Sequence, residues 1–229
     1  MSERELDRLR NEYRVRDDAA ETPYRWDNPG YVSYMQVVER ELLRGLADAG
    51  VELAGARVLD VGCGGGYFLH RLSEYGASEC HGIDLMESRI EDARQRYPGL
   101  AWHVGSATKL PFEDGAFELV TQFTCLSSIV DDAARSAAAS EMRRVAGDGW
   151  ILSLDLRAAG GRAGGTPTVG LDEDSLRELF GEPRLLRRAG LRFDLAQIAG
   201  KHSFVAQSLA LLRPLRSHVL GLWSSSSTE

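Results

Sequence analysis

Hydrophobic positions repeat with helical spacing in the first fifth of this chain. One helical face carries Met35, Val38, Leu42 and Leu46. The turn signal Asn28-Pro29-Gly30 separates this helix from a charged amphipathic stretch, Met1 to Arg16. Two helices are therefore predicted ahead of the first strand.

Short apolar runs then alternate with helical patterns. Strands are predicted at residues 57–61, 80–83, 100–104, 116–123 and 150–156, and helices at 67–75, 88–97 and from Asp132 to Val145. The run at 150–156 is almost continuously apolar, which is typical of a strand covered on both faces. This alternation predicts an α/β protein with a mainly parallel, doubly wound sheet.

The last third of the chain predicts further elements around a glycine-rich loop. Gly160, Gly161, Gly164 and Gly165 indicate a mobile loop. A helix is predicted at 172–180, strands at 185–195 and 217–223, and a helical stretch at 205–212.

Length and composition fit one α/β domain with a small elaboration. The 229 residues are 43% hydrophobic, which is enough to bury a core without cross-links. We expect residues 1–50 to form an N-terminal helical lid or cap, and residues 51–229 to form the main, cofactor-binding domain.

Charge and cysteine content exclude several classes of protein. The net charge is −7 and the basic residues are dispersed, so nucleic acid is not an expected partner. No run approaches the roughly 20 apolar residues of a membrane span, and the N-terminus lacks the apolar core of a signal peptide. Neither the three cysteines nor the five histidines have metal-ligand spacing. We therefore expect a cytoplasmic protein with reduced thiols, no metal and no membrane partner.

A glycine-rich loop and an acidic residue indicate a nucleotide-like ligand. Asp60-Val61-Gly62-Cys63-Gly64-Gly65-Gly66 lies between a predicted strand and a predicted helix, and its glycines let the backbone approach a ligand closely. Asp84 ends the next strand, 24 residues after Asp60, at the spacing of an acid that binds a ribose diol. Both segments lie at the carboxyl ends of strands, where doubly wound sheets bind ligands. An adenosine-containing cofactor is predicted.

Two residues distinguish between a dinucleotide and other adenosine-containing cofactors. A dinucleotide-binding loop has a third glycine where this chain has Tyr67, which disfavours a nicotinamide cofactor. Asp60 would repel a pyrophosphate but would attract the amino group of a bound amino acid. S-adenosyl-L-methionine carries such a group.

With these motifs in order, the chain resembles the class I S-adenosylmethionine-dependent methyltransferases from about Arg57 to Leu156. Val58 to Gly66 is similar to the family's first motif, Gly82-Ile83-Asp84 to its ribose-binding segment, and Gly105-Ser106-Ala107 to the segment that flanks adenine. The resemblance implies a Rossmann-like sheet of seven strands with helices on both faces and an antiparallel last strand. It also implies S-adenosyl-L-methionine as the cofactor, held by Asp60, Gly62, Cys63, Gly64, Asp84, Leu85, Ser106, Ala107 and Gln122.

Two positions depart from the family pattern. Ser106 stands where relatives usually carry an acid that binds the adenine amino group, so this contact falls to the Ser106 hydroxyl or to the backbone near Ala107. Glu118 replaces the usual aspartate in the fourth-strand motif.

The acceptor is predicted to be a small molecule methylated on oxygen or nitrogen. Gln122 to Ile129 and Leu215 to Leu220 are similar to segments of bacterial methyltransferases from natural-product and glycoconjugate pathways. Tyr24, Trp26, Tyr31 and Tyr34 lie where relatives often place a lid over the acceptor, a buried aromatic core being the alternative. Asp155, at the end of the fifth strand, is expected to line the acceptor pocket, a cap for a loop or helix being the alternative.

No catalytic residue is assigned from the sequence, because alignment of acceptor and methyl group can suffice for transfer. A hydroxyl acceptor of high pKa would need a base, for which Asp155, His202 and a lid tyrosine are candidates. Two other functions stay open, a nicotinamide-dependent oxidoreductase and a non-catalytic cofactor-binding protein. Both a monomer and a homodimer are compatible with the sequence.

Overall fold

A seven-stranded mixed sheet forms the centre of this computed structural model, which describes residues 3–17, 24, 26–157, 162–163, 166–200 and 202–224. The strands of the whole described chain are β1 Arg57–Val61, β2 Glu79–Asp84, β3 Ala101–Val104, β4 Leu119–Phe123, β5 Trp150–Leu156, β6 Arg162–Ala163, β7 Thr166–Pro167, β8 Leu185–Ala189 and β9 His218–Ser224. The central order is β3-β2-β1-β4-β5-β9-β8, and the pair β6–β7 forms a separate two-stranded sheet.

Strand direction confirms the predicted fold class. Neighbouring strands from β3 to β5 pair in parallel, whereas β9 runs antiparallel to both β5 and β8. The sheet is therefore Rossmann-like, with a single reversed last strand. The strand order turns back between β1 and β4, which creates the crevice where doubly wound folds bind ligands.

The helices begin and end at recognisable caps. They are α1 Glu3–Asp17, α2 Pro29–Ala49, α3 Tyr67–Glu74, α4 Glu87–Arg96, α5 Cys125–Ser128, α6 Asp132–Ala146, α7 Glu173–Phe180, α8 Phe193–Ala199 and α9 Ser203–Leu209. Asn28 caps α2 by accepting a hydrogen bond from the Gly30 amide, and Asp131 caps α6 in the same way. Gly50 ends α2 with a φ of 76°. None of the helices in the described part of the chain combines the length and apolar character of a membrane span.

Alternate strand residues pack against helices on opposite faces of the sheet. On β1, Val58 belongs to the core shared with Leu42 of α2, whereas Leu59 belongs to the core shared with Met142 of α6. Each of these side chains is at most 2% exposed. Burial on both faces explains why β1 and β5 consist mostly of apolar residues.

The predicted strand at 185–195 is wrong in its second half. The chain ends β8 at Ala189, turns at Gly190 with a φ of +67°, and forms α8 from Phe193. Ala196 and Ala199 of α8 pack on Val37 of α2, a tertiary contact that local apolar character cannot distinguish from strand burial. The short helix α5 was also not predicted. Of the glycine-rich loop predicted at 160–165, residues 160–161 and 164–165 lie outside the described chain.

Candidate functional site

Two adjoining cavities open at the carboxyl ends of β1, β2 and β4. The larger has a volume of about 910 Å³ and the smaller about 120 Å³. Gly62, Arg89, Phe123 and Thr124 line both cavities. One elongated ligand could therefore extend from the smaller cavity into the larger one across Gly62.

The glycine turn after β1 forms the floor between the cavities. The backbone amides of Gly62 and Cys63 both donate to the Ile83 carbonyl oxygen, at 2.8 and 3.1 Å, and so fold the turn over the end of β2. Gly62 has a φ of +72°, and a Cβ there would lie 2.6 Å from the Cys125 sulfur. Glycine is required at this position both by the left-handed backbone and by the close approach of α5.

Asp84 ties the end of β2 to the glycine turn. Its Oδ2 accepts a hydrogen bond from the Gly64 amide and its Oδ1 accepts one from the Met86 amide, both at 2.9 Å. The carboxylate is 9% exposed and lines the smaller cavity. Because each carboxylate oxygen can accept two hydrogen bonds, both oxygens keep an acceptor site for a diol.

The rest of the smaller cavity is built from β-strand ends and from α1. Leu85, Ser106 and Ala107, three of the predicted cofactor residues, line it together. The Ser106 hydroxyl lies 2.9 Å from the Thr108 hydroxyl and accepts a hydrogen bond from the Thr108 amide. Leu9 of α1 lines the opposite side and is 4% exposed.

The sequence did not predict which residues of α1 reach the smaller cavity. Tyr13 of α1 lines the smaller cavity, and its hydroxyl donates to the Ser128 hydroxyl at 2.8 Å. The Arg89 guanidinium stacks over the Tyr13 ring, 4.4 Å from its centre. This helix therefore covers the smaller cavity, a tertiary arrangement for which the sequence held no signal beyond the amphipathic pattern.

Asp60 supplies a buried carboxylate to the larger cavity. The residue is 1% exposed, and its Oδ1 accepts a hydrogen bond from Thr121 at 2.8 Å, across the β1–β4 pairing. Burial raises the pKa of Asp60 to about 7; the Thr121 hydrogen bond lowers it, and the negative charge of Asp84 adds to the rise. An anion here is costly unless a ligand cation accompanies it. Thr121, a polar residue within an apolar strand, was a signal that the sequence prediction missed.

Aromatic side chains form one wall of the larger cavity. The described members of this aromatic wall are Tyr24, Trp26, Tyr31, Tyr34, Tyr67, Phe68 and Phe123. The Trp26 ring lies 5.1 Å from that of Tyr31 and 4.6 Å from that of Tyr67, measured between ring centres. Trp26 is 44% exposed, so the wall is open at its rim and is not a sealed core.

Two predicted site residues lie behind the cavities. Asp155 is fully buried, accepts hydrogen bonds from the Ser127 amide and from the Gln122 side chain, and lines neither cavity. Gln122 is also fully buried, and its Oε1 accepts the Cys125 amide at 2.9 Å. This arrangement differs from the expected contacts with cofactor and acceptor, because the two side chains bind each other and shape the turn from β4 into α5. His202, a candidate base, is exposed and lines neither cavity.

Thr124 has a backbone conformation that is rare for a β-branched residue. Its φ is +57°, in the left-handed region, and it lies between β4 and α5 at the junction of the cavities. Such strain is often found at ligand sites, where the surrounding structure enforces it. No sequence signal indicated this conformation, since the position is occupied by threonine rather than glycine.

Cys63 lies in the glycine turn, with its thiol near two carboxylates. Burial, with the charges of Asp84 and Asp60, raises the pKa of Cys63, so this thiol stays protonated. Within the described residues, no group of three or more His, Cys, Asp or Glu side chains is placed to hold a metal ion.

The chain is similar in sequence to known methyltransferases. Residues 58–149 match the family model described as a methyltransferase domain. The chain is 35% identical over 99 residues to norajmaline N-methyltransferase of Rauvolfia serpentina, across 40% of this chain and 32% of that protein. It is 32% identical over 135 residues to a ubiquinone biosynthesis O-methyltransferase of Methylococcus capsulatus, across 57% and 56% of the two chains. The chain thus matches less than two thirds of the length of these relatives.

A solved structure extends the likeness to nearly the whole chain. Magnesium protoporphyrin IX methyltransferase from Synechocystis PCC 6803 with bound SAH superposes with a TM-score of 0.67 at 16% identity. The match covers 96% of this chain and all of that one. At this identity the likeness is one of fold.

Proposed function

We propose that this chain, which belongs to the class I S-adenosylmethionine-dependent methyltransferases, transfers a methyl group from S-adenosyl-L-methionine to an oxygen or nitrogen of a small-molecule acceptor. The observation that carries the proposal is the junction of the two cavities at Gly62. On one side of this junction stands the acid suited to a ribose, Asp84, and on the other the acid suited to an amino group, Asp60.

The residues present fit this cofactor. Asp84 keeps acceptor sites for a ribose diol, and Leu85, Ser106 and Ala107 surround the place where an adenine would lie. Among the described residues no cation pairs with the buried carboxylate of Asp60, and the amino group of the cofactor would provide one. Among the described residues that line the smaller cavity, Arg89 is the one cation, and its guanidinium stacks on Tyr13. This lining is poorly suited to the second phosphate of a dinucleotide.

When bound, the cofactor supplies an electrophilic methyl group on a sulfonium. The protein then has to bind, orient and dehydrate the acceptor, which are proximity effects. The aromatic wall holds the acceptor by stacking and excludes water, while Phe123 and Thr124 at the junction fix its approach to the cofactor side. These roles require no covalent nucleophile.

We also propose a role for each part of the chain and a cellular setting for the enzyme. Residues 1–50 serve as a lid, since α1 covers the smaller cavity and Tyr31 and Tyr34 of α2 line the larger one; residues 51–229 hold the cofactor. We place the enzyme in the cytoplasm of a bacterium, in natural-product or glycoconjugate biosynthesis, on the similarity of Gln122 to Ile129 and Leu215 to Leu220. Two relatives named for N- and O-methylation support a small-molecule acceptor.

Methyl transfer can be tested directly. The protein would be incubated with methyl-labelled S-adenosylmethionine and a panel of hydroxy- and amino-aromatic compounds, and products would be analysed by mass spectrometry. The expected result is replacement of one hydrogen by a methyl group on at least one compound, and less product from the Asp84→Ala variant at a cofactor concentration that does not saturate it. Tight cofactor binding without transfer to any compound would favour the non-catalytic alternative.

A further inference from the structure

Tyr34 and His218 form a hydrogen-bonded pair at the inner end of the aromatic wall. The Tyr34 hydroxyl lies 3.0 Å from Nε2 of His218. Tyr34 lines the larger cavity, whereas His218 on β9 is 1% exposed and lies behind it. The pair therefore links the acceptor side of the site to the reversed strand of the sheet.

The hydrogen bonds around His218 favour one direction for the Tyr34–His218 hydrogen bond. The Ser217 hydroxyl donates its one proton to the Leu191 carbonyl oxygen at 3.1 Å, and also lies 2.9 Å from Nδ1 of His218. A carbonyl oxygen can only accept, so we assign the Ser217 proton to Leu191 and the hydrogen of the neutral imidazole to Nδ1, which donates it to Ser217. Nε2 of a neutral imidazole is then an acceptor, so the Tyr34 hydroxyl donates to it.

The surroundings keep this arrangement in place. Burial lowers the pKa of His218 to about 4, so the ring is neutral. Gly190, with a φ of +67°, brings its backbone so close that a Cβ would lie 2.7 Å from Nδ1. The Phe193 ring stands edge-on to Tyr34 at 5.4 Å. The Gly190 backbone and the Phe193 ring therefore pack directly against the pair.

A tyrosine oxygen whose proton is committed in this way acts toward the cavity as an acceptor only. We propose that Tyr34, with its proton held by His218, accepts a hydrogen bond from the hydroxyl or amine hydrogen of a planar aromatic acceptor and so selects compounds that carry such a group. This inference rests on the proposed function, of which it names the acceptor class.

The arrangement of the aromatic rings near Tyr34 indicates that the acceptor is planar. Tyr24 and Tyr31 stand beside Tyr34, with their ring centres 6.0 Å apart at an interplanar angle of 84°. Phe68 and Phe123 stack at 4.1 Å on the same cavity. Aromatic faces and edges of this kind favour a flat ring over an aliphatic one. A hydroxyl acceptor loses its donor hydrogen on methylation, so the same residue would favour release of the ether product.

The test uses two fluorescent probes that differ by one methyl group. The full chain, saturated with S-adenosylhomocysteine to prevent turnover, would be titrated with 2-naphthol and with 2-methoxynaphthalene. The first carries a hydroxyl hydrogen and the second does not. We expect the wild type to bind 2-naphthol about three- to tenfold more tightly, the effect of one net hydrogen bond. Tyr34→Phe should bind both probes equally and retain its affinity for S-adenosylhomocysteine.

The His218 variants separate this role from a structural one. His218→Gln keeps an amide oxygen that can accept from Tyr34, and should retain at least a twofold preference for 2-naphthol. His218→Leu frees the Tyr34 proton, which can then bind the ether oxygen, so the preference should disappear or reverse.

Three results would overturn the inference. One is an unchanged preference in Tyr34→Phe, another an unchanged preference in His218→Leu, and the third is a wild type that binds S-adenosylhomocysteine but neither probe. If Tyr34→Phe does not fold, the His218 pair of variants decides. Loss of S-adenosylhomocysteine binding by the wild type would instead contradict the proposed function itself.

Discussion

The backbone amide of Gly64 donates a hydrogen bond to Oδ2 of Asp84, so the glycine loop and the acid at the end of the second strand form one unit. The two residues are 20 positions apart in sequence and meet because β1 and β2 are parallel neighbours. Ligand binding at this unit therefore tests the fold and the site together.

Replacing Asp84 by alanine should weaken cofactor binding. The variant lacks the carboxylate that accepts charge-assisted hydrogen bonds from the ribose, and each of these bonds contributes about 1.5–3 kcal/mol. Loss of one bond raises Kd roughly ten- to hundredfold. Calorimetric titration with S-adenosylhomocysteine measures this change. The control is Glu79→Ala, which removes the same charge from the exposed start of β2. Equal affinities of the two variants would show that the ribose is misplaced.

Gly62→Ala and Gly65→Ala should differ sharply although they are three residues apart in one loop. Alanine at Gly62 meets the Cys125 sulfur and a left-handed backbone, whereas alanine at Gly65 meets no atom within 4 Å. We expect the first change to lower the free energy of unfolding by at least about 1–2 kcal/mol and the second to alter it by less than about 0.5 kcal/mol. Urea unfolding compares them. Similar midpoints would contradict the packing described for this turn.

Asp60→Asn should stabilise the ligand-free protein at alkaline pH and weaken cofactor binding. Folding raises the pKa of Asp60 from 3.8 to about 7. The contribution of this group to the stability of the folded state is therefore fully present below about pH 3.8 and is lost as pH rises through about 7. The uncharged variant avoids that loss, worth up to about 4 kcal/mol. Thermal unfolding at pH 6 and pH 8 measures the difference, which should be larger at pH 8.

The affinity for the cofactor should also depend on the ionisation of Asp60. In the wild type, S-adenosylhomocysteine should bind more tightly at pH 8 than at pH 6, because its amino group needs the ionised carboxylate. In Asp60→Asn this dependence should largely vanish. A variant that kept the wild-type pH dependence would place the titrating group elsewhere.

Tyr13 variants test whether α1 retains the cofactor. Tyr13→Phe removes only the hydrogen bond to Ser128, about 1 kcal/mol, and should speed S-adenosylhomocysteine dissociation about fivefold. Tyr13→Ala also removes the ring on which Arg89 stacks, and should speed it further. Stopped-flow displacement gives both rates. If both variants release the ligand as slowly as the wild type, α1 is not a lid.

The alternation of strands and helices was predictable because glycine, proline and apolar runs mark most boundaries. The strands at 57–61 and 150–156 were predicted with their exact bounds. The segment from Leu191 to Ala199 was not, because its apolar residues are buried by α2 and not by sheet pairing. Local pattern does not report which neighbour covers an apolar face.

The positions of the candidate site residues were predictable where the backbone of the parallel sheet fixes them. Gly62, Gly64 and Asp84 lie together because loop and strand end are fixed by the parallel sheet. Gln122 and Asp155 lie elsewhere than expected, because neighbouring strands turn the two side chains toward each other in the interior. The Tyr34–His218 pair joins residues 184 positions apart, and no sequence spacing could have indicated it.

The most direct test of the account is calorimetric titration of the purified chain with S-adenosylmethionine and S-adenosylhomocysteine, with nicotinamide dinucleotides as controls. The geometry of Asp60, Gly62 and Asp84 predicts micromolar binding of the two sulfur compounds and no binding of the dinucleotides. Binding of the dinucleotides alone would contradict the account and favour the oxidoreductase.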